Sequence, residues 1–167
     1  MVMRYLAAFG PASYRDVQVW SGLIQMRDVL ERLRPRLRTF RDESDNELFD
    51  VPDAPRPDPE TPASPRLLPE YANLCLSHHD RSRIVSEDTR KRFGMNGGVG
   101  PGSFLIDGFG AGAWKITRSG DTAHLTIWPL RPITKSDIFE LTDEGDRLLT
   151  FAEETATNHE IEVVSSG

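Results

Sequence analysis

Six of the twelve prolines crowd between residues 52 and 65: Pro52, Pro55, Pro57, Pro59, Pro62 and Pro65. Proline fixes φ and removes a backbone donor, so no helix and no central strand runs through such a stretch. The segment has no amphipathic period and favours extended polyproline II, a semi-rigid spacer. It divides the chain into residues 1–51, a linker 52–65 and residues 66–154, with 155–167 expected as a flexible tail. A length of 167 residues allows one ordinary domain or two small ones.

The first part is dense in helix punctuation. Residues 3–9 suit a helix, with Tyr5, Leu6 and Phe9 on one face, and Gly10 and Pro11 stop it. Ser13 followed by Asp16 resembles a capping box with a shortened acid. A helix over 14–21 is expected to bury Val17 and Trp20, and Gly22 closes it. A third helix over 23–33 carries Met26, Leu30 and Leu33 on one stripe and ends before Pro35. Strands over 36–41 and 47–51 flank a polar tip at 42–46, a hairpin signal. Three helices followed by a hairpin is the winged-helix order.

The second part reads mostly as strand. Residues 66–71 and 73–77 hold short apolar runs, and 87–93 suits one or two helical turns. Five of the thirteen glycines lie in 94–102, a loop without the Gly-Lys-Ser/Thr of a phosphate loop or the spacing of a dinucleotide fingerprint. Strands are expected over 103–106, 110–118 and 122–128, the last two joined by a turn at 119–121. A helix over 137–153, capped by Ser136, carries Ile138, Leu141, Leu148, Leu149 and Ala152, with Gly145 weakening its middle. The fold class expected is α+β: a winged-helix unit, then a small β-barrel-like domain with a terminal helix.

The net charge of −6 argues mildly against a nucleic-acid binder until it is mapped. Residues 136–167 hold nine acids against the single base Arg147. Residues 24–41 hold six arginines (Arg27, Arg32, Arg34, Arg36, Arg38 and Arg41) against Asp28 and Glu31. In a winged helix these sit on the third helix and first wing strand, which straddle DNA phosphates. Arg81 and Arg83 extend the candidate DNA-binding set. The plainer alternative is a solvated, salt-bridged face, since arginine outnumbers lysine 17 to 3 along the chain.

Other chemistries have little support. No apolar run reaches the roughly 18–20 residues of a membrane span, and the N-terminus lacks a secretory h-region. Cys75, the one cysteine, excludes an internal disulfide and suggests a buried thiol in a reduced cytoplasm. His78 and His79 are adjacent, so on an extended strand they point to opposite faces and do not share a metal. No Ser/His/Asp elbow is visible. Neither metal, cofactor nor membrane is therefore expected.

A resemblance emerges from several runs taken together. They are residues 67–83 (LLPEYANLCLSHHDRSR), 104–109 (FLIDGF), Trp114, 129–132 (PLRP), 4–13 (RYLAAFGPAS) and 20–23 (WSGL). Over residues 3–154 the chain resembles winged-helix DNA-binding domain proteins of the AlkZ-like DNA glycosylase family. The resemblance implies a larger protein with tandem winged helices and a C-terminal β-barrel-like domain, of which this chain matches the C-terminal portion. It also implies removal of alkylated bases through a Gln-x-Gln or Gln-x-Asp motif. Gln18 and Gln25 are the only glutamines and match neither, so no catalytic residue carries over. Ala72 stands where the family tends to have an acid. Three readings follow: a module binding double-stranded DNA, a glycosylase acting with a missing N-terminal part, or a structural fragment packing on missing winged-helix units.

Overall fold

Local side-chain chemistry sets the first helices. In the computed structural model, which describes residues 1–82, 84 and 101–164, α1 spans Val2–Phe9 and α2 spans Tyr14–Ser21. Ser13 and Asp16 form the full capping box: Asp16 accepts from the Ser13 amide at 2.7 Å, and the Ser13 hydroxyl accepts from the Asp16 amide at 3.3 Å. Gly22 ends α2 at φ 67, a left-handed conformation that glycine adopts without a Cβ clash. Helix α3 runs Met26–Leu33, three residues shorter at its start than its apolar pattern suggests, because Gln25 takes a left-handed φ of 60 before it. A single 3-10 turn, Arg34–Arg36, carries Pro35 into the hairpin.

Strands β1 (Arg38–Arg41) and β2 (Glu47–Asp50) pair antiparallel, with Arg38 opposite Asp50 and Arg41 opposite Glu47. Ala12 and Phe49 exchange both backbone bonds, at 2.9 and 2.8 Å, which ties the loop before α2 to the hairpin. The core here is Val2, Tyr5, Leu6, Ala12, Val17, Met26, Leu30 and Phe49. Trp20 departs from expectation: it is 41% exposed, its ring against Tyr5 at 5.0 Å, because Val17 already fills the inward position of α2.

A second, five-stranded sheet has the order β3-β4-β5-β6-β7. It comprises β3 (Arg66–Leu68), β4 (Gly102–Ile106), β5 (Phe109–Ser119), β6 (Thr122–Pro129) and β7 (Asn158–Val163). Asp107 and Gly108, both at positive φ (50 and 77), make the tight turn between β4 and β5. One helical turn, α4 (Asn73–Leu76), precedes Ser77. Helix α5 (Lys135–Ala152) packs on the five-stranded sheet, burying Leu141, Gly145 and Leu149 with Phe104, Leu125 and Ile127.

Three expectations are corrected here. The cap of α5 is Thr134 with Asp137, not Ser136, because the box requires its acid three residues on. The tail does not fray through its length: Asn158–Val163 pairs parallel with β6, its half-buried side carrying Ile161 and Val163 in strict alternation with Glu160 and Glu162. A parallel partner needs a crossover, and α5 is that crossover. The chain also divides otherwise than at the prolines. Residues 1–61 form one unit together with 73–81, and residues 62–72 form the other together with 82–167. The helical turns expected at 87–93 and most of the glycine loop lie outside the described residues.

Candidate nucleic-acid interface

The arginines of α3 and the hairpin separate into engaged and free groups. Arg34 is engaged: it donates to Glu31 at 2.7 Å and to both oxygens of Glu47 at 2.9 and 2.8 Å. These bonds, to Glu31 first and then Glu47, push its pKa further up, and they hold both carboxylates below their ordinary range. Glu47 lies on β2, so Arg34 clamps the hairpin to the end of α3. Arg41 closes the hairpin tip on Asp45 at 3.0 Å. Arg32, Arg36 and Arg38 are exposed and have no carboxylate within ion-pair distance among the described residues.

Arg27 begins α3 and lies over the Tyr14 ring, 4.6 Å from its centroid. Arg15 reaches the same ring from α2 and donates to its hydroxyl at 3.1 Å. Neither Tyr14 nor Arg15 stands out in the sequence, where the only signal is an aromatic beside a basic residue at a helix start. The two guanidiniums, Arg15 first, draw the phenol below its ordinary value.

The segment after α4 turns inward at one histidine and outward at the next. His78 is buried and its Nε2 donates to the Phe9 carbonyl at 3.0 Å, while its Nδ1 has no hydrogen-bond partner among the described residues. His79 is exposed, and its amide donates to Asp16 at 2.8 Å. Tyr5 donates to the Ser77 carbonyl at 2.7 Å. Arg81 is half-buried and donates to the His78 carbonyl at 3.3 Å. Arg83 lies outside the described residues. Among the described residues no group of three or more His, Cys, Asp or Glu is placed to hold a metal ion. Cys75 is half-buried rather than buried, on the one-turn helix α4.

Two further surface properties bear on function. Val19, Trp20, Leu23 and Ile24 are exposed along the end of α2 and the turn after it, Ile24 at 77%. No helix among the described residues is long and apolar enough to cross a membrane.

The family described as DNA glycosylase AlkZ-like matches residues 1–151. A solved structure, the Streptomyces sahachiroi DNA glycosylase AlkZ, superposes with a TM-score of 0.77 at 16% sequence identity. The superposition covers 98% of this chain and 44% of that one, so the chain spans under half the length of that relative. At that identity the likeness shows a shared α+β fold. No curated protein sequence matches the chain.

Proposed function

The chain belongs to the AlkZ-like DNA glycosylase family, and from that premise we propose that it binds double-stranded DNA through a winged-helix unit. In this reading residues 1–51 are the winged helix, α3 its recognition helix and β1–β2 its wing, while the unit that carries the five-stranded sheet, β7 included, is the small β-barrel-like domain. The carrying observation is the set Arg32, Arg36 and Arg38: exposed, placed in turn on the end of α3, the 3-10 turn and the start of β1, and without a carboxylate within ion-pair distance among the described residues. Such guanidiniums make phosphate contacts that hold a duplex in register without reading its sequence. Arg34, named with them from the sequence, acts instead as the clamp that fixes their spacing.

In this reading the chain contributes DNA binding, and a glycosylase acting with an N-terminal part that supplies the Gln motif is the alternative. Gln18 accepts from the Met26 amide at 3.4 Å, and Gln25 sits in the turn before α3, so both glutamines serve the α2–α3 connection. Base removal needs a positioned water and a group to activate it, with the base flipped out of the stack.

Anisotropy of a labelled duplex across a salt series tests this reading. The paired substitution Arg36→Glu and Arg38→Glu is expected to weaken binding. It is also expected to flatten the slope of log affinity against log salt by about 0.9 for each phosphate the variant no longer neutralises. A wild type with no affinity at low salt discards the reading. Release of an alkylated base by this chain alone replaces it with a glycosylase.

The exposed apolar set Val19, Trp20, Leu23 and Ile24 favours a second reading, in which this face packs on another polypeptide such as further winged-helix units. Leu23→Ser with Ile24→Asp is then expected to abolish concentration-dependent association in sedimentation. A wild type that neither self-associates nor binds added winged-helix units of the same family removes that reading.

A further inference from the structure

We propose that Tyr14, Arg15 and Arg27 form a seat for one phosphodiester of the DNA backbone, a contact that rests on the duplex-binding reading above and adds α2 to its surface. The geometry is specific. Arg15 is on the first turn of α2 and Arg27 on the first turn of α3, yet both guanidiniums lie against one phenol ring, 5.7 and 4.6 Å from its centroid. The Tyr14 hydroxyl accepts from Arg15 at 3.1 Å. Its own proton has no acceptor among the described residues, so it remains available to donate. Two guanidiniums and one hydroxyl thus converge as donors, and a phosphate oxygen is an acceptor suited to all three.

The neighbouring acids form no ion pair with Arg15 or Arg27 among the described residues, although Glu31 feels the Arg27 charge. Asp16 is 4% exposed and is bonded to Ser13 and to the His79 amide. Glu31, one turn along α3 from Arg27, is bound by Arg34. Asp28 is exposed and forms no ion pair with either arginine among the described residues. The ring stacking restricts both guanidiniums before any ligand arrives, which lowers the ordering entropy that a flexible arginine loses on binding. The Arg15 hydrogen bond first, and then the charge of both guanidiniums, draw the phenol below its ordinary value. Arg27 is already on the proposed recognition helix, α3.

The alternative is that the Arg27–Tyr14 contact only pins α2 to α3. That role predicts lower stability in variants and no change in DNA affinity.

The test uses the full chain and a short labelled duplex. Arg15→Ala with Arg27→Ala is expected to lower affinity at least tenfold at low salt and to flatten the salt slope by about one, since both arginines share one phosphate. Tyr14→Phe, which keeps the ring and loses the hydroxyl, is expected to weaken binding by a smaller factor with the fold intact by circular dichroism. A charge-matched control, Lys115→Ala with Arg131→Ala, is expected to leave affinity and slope unchanged. In the wild type, the Tyr14 ring resonances are expected to shift on adding duplex, and to shift weakly with inorganic phosphate alone. If the wild type binds and the double variant binds equally well with the same slope, the seat is wrong and the duplex-binding reading survives. If the wild type does not bind at all, both fall. If phosphate alone shifts the ring as strongly as duplex does, the site is for a free anion and the DNA assignment is overturned.

Discussion

At the scale of single residues, the arginines show how little sequence position says about role. Arg34 and Arg36 are two apart and chemically identical, yet one closes a fold contact and the other faces solvent. The difference is Glu47, which the hairpin brings back beside the end of α3. Because Arg34 holds Glu31 and Glu47 below their ordinary range, both acids contribute stability above the unfolded carboxylate value of about 4.3. That contribution is lost as pH falls through their folded values. Arg34→Met is therefore expected to melt a few degrees lower at neutral pH, with the gap to wild type closing below about pH 4. A gap independent of pH in paired thermal melts would show that only packing is affected.

Asp50 makes the same point from the acidic side. It is 2% exposed and accepts from the Val51 amide at 2.8 Å and from Arg56 at 3.1 Å. Arg56 also donates to the carbonyls of Val51, Pro52 and Ala54, so the first turn of the proline segment is folded back rather than free. Arg56→Ala leaves a buried carboxylate short of a donor, and urea unfolding is expected to show a loss of about 1–3 kcal/mol. An unchanged midpoint would mean that solvent replaces the guanidinium.

At the scale of elements, α5 is the instructive case. Its apolar stripe is legible in the sequence, where Gly145 reads as a weak point. A Cβ at that position would stand 2.6 Å from Leu125 Cδ2 and 3.3 Å from Ile161 Cδ1. The glycine lets α5 approach β6 and β7 closely. Gly145→Ala is thus expected to fail to deliver the gain of about 1 kcal/mol that helix propensity alone predicts. Gly145→Leu is expected to cost about 1–3 kcal/mol through overpacking. A stabilised Gly145→Ala in denaturant titration would show that Leu125 moves aside freely. Strand β7 escapes a sequence reading for a different reason. Its alternation of His159, Ile161 and Val163 with Glu160 and Glu162 is present, but the acidic tail conceals it, and its partner lies across an eighteen-residue helix.

At the scale of the whole molecule, two cores share no residue, and the chain passes between the two units three times. Residues 73–81 belong with 1–61 through Tyr5 to Ser77, Phe9 to His78 and Asp16 to His79. Leu30→Ala, expected to destabilise by about 2–5 kcal/mol, should therefore speed hydrogen exchange at the Ser77 and His79 amides along with α2. Exchange at β5 and β6 should stay near the wild-type rate. Ser77 and His79 amides that followed β5 and β6 instead would place the segment with the other core.

The sequence by itself determined whatever closes within about four residues. The Ser13–Asp16 box, the Gly22 stop, the hairpin tips and the alternation of β5 and β6 are local, because a side chain meets backbone that the chain keeps beside it at little entropic cost. Only tertiary structure decided which arginine is bound and which is free, where Trp20 faces, why Gly145 is glycine and that β7 pairs parallel. Each of those depends on a partner brought from another element, and nothing in the spacing of the residues says which partner arrives.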